Sequence, residues 1–118
     1  MKALIVIKHA EGVRSMDVPM ALHEAKGPFI ENGFKSGWLK DTNGLKGTAD
    51  AVRIRSRGGK LVVTDGPFTE AKEIVGAYAM IEVPTRERAI EVTREFMELH
   101  RVHFPEFDGE CELRPVDE

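Results

Sequence analysis

A chain of 118 residues has room for one domain with a real but modest core, so a single domain over 1–118 is expected. Its 42% hydrophobic and 31% charged residues describe a globular protein that dissolves in water, which excludes a disordered or fibrous chain. The net charge of −3 comes with scattered Lys and Arg, and the absence of a basic stripe argues against a nucleic-acid partner.

The chain opens with "KALIVIK" (2–8), a continuous apolar run that reads as a buried strand. It and "AYAMI" are strand-length, too short for a membrane span. Met1-Lys2 leads straight into the strand without the pattern of a signal peptide, and Cys111 has no partner for an intrachain disulfide. A cytoplasmic location is the expectation. "HAEGVRSMDVP" forms a loop, in which Asp17 can cap a helix with Pro19 in its first turn. Val18, Leu22, Ala25 and Phe29 then mark a core-facing stripe. Gly27-Pro28 predicts a kink or restart, and Asn32-Gly33 a helix end.

"KSGWLKDTNGLKG" (35–47) reads as a short irregular strand with a turn at Asn43-Gly44. In "AVRIRSRGGKLVVTD", alternation followed by Gly58-Gly59 and "KLVV" predicts a β-hairpin. "DGPFTEAKE" (65–73) follows, with Glu70, Lys72 and Glu73 suited to the first turn of a helix. "IVGAYAMIEV" (74–83) is a second buried strand. Thr85 can cap a helix whose inner stripe is Ala89, Val92, Phe96 and Leu99, and "CELRPV" closes the chain as a strand. The order β-α-β, hairpin, β-α-β is that of an α+β, ferredoxin-like split βαβ fold with an extra hairpin. Both faces of its central strands are apolar: Ala3, Ile5 and Ile7 on one, Leu4 and Val6 on the other. Two helices cover one face, so a second copy packing sheet to sheet is expected on the other, giving a homodimer.

"TDGPFTEAKE" with "IVGAYAMIEV" after it, the opening "MKALIVI", and the late "ELRPVDE" resemble the YCII-related family, specifically its DGPF-type members. The resemblance implies a ferredoxin-like protomer in a homodimeric α+β barrel. It also implies a cleft where a His/Asp pair has been suggested as acid–base machinery, and, for some relatives, association with sigma factors. Asp65 matches the family aspartate. The place where many members have His is Lys26, and His23 lies three residues earlier, about 60° away around a helix.

Two readings of the candidate residues follow. In one, a small molecule binds between the first helix and the sheet, with Asp65 and His23 in acid–base roles and Lys26, Phe68 and Trp38 around the ligand. In the other, the chain is a non-catalytic dimeric module with a regulatory role. There Asp65 accepts bonds from the backbone of its turn, His23 is half-buried, and Trp38 is packing. Arg53, Arg55 and Arg57 read as an exposed edge. His100, His103, Asp108 and Cys111 invite a metal reading, but they lack zinc-site spacing, and His near a helix C-terminus has its own explanation. No metal or other cofactor is expected.

Overall fold

The computed structural model describes residues 1–15 and 18–118. Lys2–His9 forms β1, Met20–Ser36 α1, and Leu39–Gly44 β2. Val52–Arg57 (β3) and Lys60–Asp65 (β4) form the hairpin. Ile74–Glu82 is β5, Arg86–His103 α2 and Gly109–Pro115 β6. The four-stranded sheet runs β2-β5-β1-β6 with every pair antiparallel, while β3 and β4 pair only with each other. This is an α+β ferredoxin-like fold with an inserted hairpin.

Alternation along β1 sets the layers. Ala3, Ile5 and Ile7 are buried, and Ala3 and Ile5 join Leu39, Ile81, Val83, Ala89 and Val92 in one core beneath the helices. Leu4, Val6, Tyr78 and Met80 point to the other face and are half-buried. That face is rimmed by polar pairs: Lys8 with Glu112 at 2.7 Å, Arg114 with Glu112 at 3.0 Å, and the Tyr78 hydroxyl donating to Asp41 at 2.7 Å.

Five local expectations change. The helix begins at Met20, leaving Val18 41% exposed ahead of it, the first buried residue is Leu22, and the cap expected at Asp17 lies outside the described residues. α1 passes through Pro28 unbroken, because burial of Leu22 and Gly33 on either side outweighs one missing backbone bond. It ends at Gly37 rather than Asn32-Gly33: Gly37, at φ 85°, donates its N–H to the carbonyls of Gly33 and Phe34. Gly33 serves a different purpose, since a Cβ there would lie 2.9 Å from the Trp38 ring. Asn43-Gly44 belongs to β2 instead of a turn, with the Asn43 amide donating to the Tyr78 hydroxyl at 2.9 Å. No helix follows the DGPF turn. By contrast, Gly58 and Gly59 do close the hairpin with positive φ, and the Thr85 hydroxyl accepts the Arg88 N–H at 3.1 Å. Among the described residues no helix is long and apolar enough to cross a membrane.

Candidate functional site

Asp65 is the last residue of β4, opposite Val52. The turn after it is held from outside. Gly66 donates its N–H to the Ala51 carbonyl at 2.8 Å, and the Gly66–Pro67 bond is cis. Phe68 donates its N–H to the Thr48 hydroxyl at 3.2 Å; Thr48 in turn donates through both its N–H and its hydroxyl to Glu11 Oε1, at 2.9 and 2.6 Å. The turn role expected of Asp65 therefore belongs to Thr48 and Glu11. Among the described residues the Asp65 carboxylate is exposed and accepts no hydrogen bond. Phe68 lies by the turn with the Arg53 guanidinium 3.9 Å above its ring. Arg53 is thus no free edge charge. It pairs with Glu70, and that bond holds the Glu70 carboxyl below the usual carboxylate range. A depression of about 460 Å³ lies beside this turn, but its Thr48 and Arg53 are already engaged in these contacts.

His23 is exposed on α1, not half-buried, and no hydrogen bond joins it to Asp65. Trp38 sits edge-on to Phe29 with ring centroids 5.5 Å apart, beside a void of about 50 Å³ walled by Ile5, Leu39, Val92 and Phe96. That space is apolar and holds at most a water or two, so Trp38 is packed as part of the core. Burial in the same layer pushes the Cys111 thiol up to about 11, which leaves it protonated and a poor nucleophile at neutral pH. Among the described residues, no three His, Cys, Asp or Glu side chains are grouped as a metal site.

Lys26 is placed differently. It points into a cleft of about 250 Å³ where the end of β1, the start of β5, the middle of α1 and the end of α2 converge. Ile7, Ala77 and Phe104 give the cleft apolar walls, and His9 and His100 join Lys26 as its titratable groups. The Lys26 ammonium is half-buried, 5.6 Å from the centre of the Phe96 ring. Burial holds it below the usual lysine range, and among the described residues no carboxylate pairs with it.

The two imidazoles are fixed by packing. His9 is 6% exposed and lies against Gly76, where a Cβ would come within 2.0 Å of His9 Nε2. Its Nδ1 donates to the Ala10 carbonyl at 2.8 Å. His100 is 4% exposed, between Phe96 and Phe107 at ring separations of 4.9 and 4.8 Å, and its Nδ1 donates to the Phe96 carbonyl at 3.1 Å. Burial first, and the nearby Lys26 charge after it, hold His100 below the usual imidazole range. Sequence reasoning singled out neither imidazole for this cleft. The signals were there: His9 continues the inward parity of Ala3, Ile5 and Ile7, and His100 stands four residues beyond Phe96 on the inner stripe of α2.

A comparison with curated proteins finds no match. The family model for the YCII-related domain matches residues 1–97, from β1 through most of α2, a span that holds His9, Lys26 and the DGPF turn and stops short of His100. The chain belongs to the YCII-related domain family.

Proposed function

We propose that the cleft between α1 and the sheet binds a small anionic molecule, with Lys26 supplying the charge. The observation that carries this reading is the Lys26 ammonium itself: half out of water, depressed in pKa, and without a carboxylate partner among the described residues. Taking a charge out of water without a counter-ion is costly, and an anionic ligand supplies the missing partner. In this reading His100, rather than the Asp65–His23 pair, is the group able to accept a proton, since it shares the cleft with Lys26 and that pair does not.

The test is a thermal-shift screen of small carboxylates and phosphates on wild type and Lys26→Met. A ligand that binds only the folded chain raises its melting temperature. A shift in wild type that disappears in Lys26→Met supports the site. No shift in wild type with any anion, or an equal shift in the variant, overturns it.

We also propose that the chain works as a homodimer. Val52, Ile54, Leu61, Val62 and Val63 of the hairpin are all more than half exposed, and a two-stranded hairpin is marginal in water when nothing packs on it. The half-apolar face around Leu4, Val6, Tyr78 and Met80 offers a second such surface on the same chain. One copy placing both against another by two-fold symmetry satisfies both needs with no further partner.

A further inference from the structure

We infer that the molecule held in the cleft is a small hydroxylated carboxylate, its carboxylate on Lys26 and its hydroxyl donating to Nε2 of His100. This rests on the cleft reading above and adds the chemistry of the ligand's second polar group. A backbone carbonyl only accepts, so the bonds from His9 to Ala10 and from His100 to Phe96 each place a proton on Nδ1. In the neutral ring that leaves Nε2 as an acceptor. His100 is neutral at physiological pH because burial and Lys26 both disfavour its charge. Among the described residues no donor bonds to the His100 Nε2, while the His9 Nε2 is faced by Gly76.

An acceptor lining the cleft with no partner among the described residues can take a donor from a ligand. The cleft therefore presents one cation, one imidazole acceptor and the apolar walls of Ile7, Ala77 and Phe104. A plain carboxylate answers the cation alone. A second anionic group would set acceptor against acceptor, and an ammonium donor would stand against Lys26. A neutral hydroxyl has none of these faults. The cleft volume of about 250 Å³ equals about eight waters at liquid density, which suits a ligand of one small ring or a short chain.

The experiment measures affinities of matched pairs by isothermal titration on the full chain: the three monohydroxybenzoates against benzoate, lactate against propionate, and 3-hydroxybutyrate against butyrate. At least one hydroxy acid should bind about fivefold or more tightly than its deoxy partner, the scale of one added hydrogen bond. Its binding should also move the ¹⁵N resonance of the His100 Nε2, and that advantage should shrink in His100→Phe. The resonance is read on wild type, so the test stands even where a variant fails to fold. Deoxy and hydroxy acids binding equally, with both lost in Lys26→Met, would overturn the hydroxyl assignment and leave the cleft reading in place. No binding by any of the acids at millimolar concentration would overturn both.

Discussion

His100 is a buried base without an acid beside it, and its cost should be visible in the stability of the protein. Burial and the Lys26 charge lower its folded pKa below the ordinary 6.5. Between those two values the unfolded chain binds more protons than the folded one, so stability rises with pH there; below the folded value the penalty is present in full. The melting temperature of wild type should therefore fall as pH drops below about 6.5, the ordinary imidazole value. His100→Phe should remove that part of the slope, as read by melting curves of both proteins from pH 8 to pH 5. Parallel curves would show that His100 does not titrate uphill. At this scale the candidate site was only partly legible. Lys26 could be marked by the family resemblance. Asp65 and His23 stood out as residue types, yet their exposure is set by where β4 and α1 end up, which local pattern does not contain.

The turn after β4 shows how an element is held by residues distant in sequence. Gly66 passes so close to the Thr48 carbonyl that a Cβ would lie 1.6 Å from its oxygen, and the obstacle is backbone with little freedom to yield. Gly66→Ala should destabilise the protein by about 1–3 kcal/mol, the range for forcing extra atoms into a packed site. Urea unfolding is the measurement, and a midpoint unchanged from wild type would mean that the Thr48 segment moves aside freely. The hairpin and both helices were readable because alternation, paired glycines and a Thr cap are local signals. The DGPF segment was misread as a helix start because Glu70 carries the charge a helix N-terminus favours. Its actual partner, Arg53, stands 17 residues earlier on β3.

At the scale of the whole molecule the hairpin is the feature that does not fit a self-sufficient protomer. The Cα radius of gyration is 16.0 Å, against about 13.5 Å for a compact chain of this length. The hairpin forms a sheet of its own, and its Ile54 and Val63, directly paired, are 65% and 64% exposed. Under the dimer proposal, Ile54→Lys with Val63→Lys should convert a species of twice the chain mass into monomer in sedimentation equilibrium. Their exposure in the protomer means that the change should not disturb the core beneath the helices. Wild type sedimenting as a monomer at high micromolar concentration would remove the proposal.

The sequence by itself determined the order of elements, the inward parity of β1 and the inner stripe of α2, because each depends only on backbone periodicity and the burial of apolar side chains. It also carried the resemblance to the YCII-related family, whose model matches residues 1–97. Only the tertiary structure decided which polar residues meet. Lys26 from α1, His9 from the end of β1 and His100 from the end of α2 are far apart in the chain, and nothing local requires them to converge. They do so because the split βαβ crossovers lay both helices over one face of the sheet and bring these three positions to the same end of its central strands.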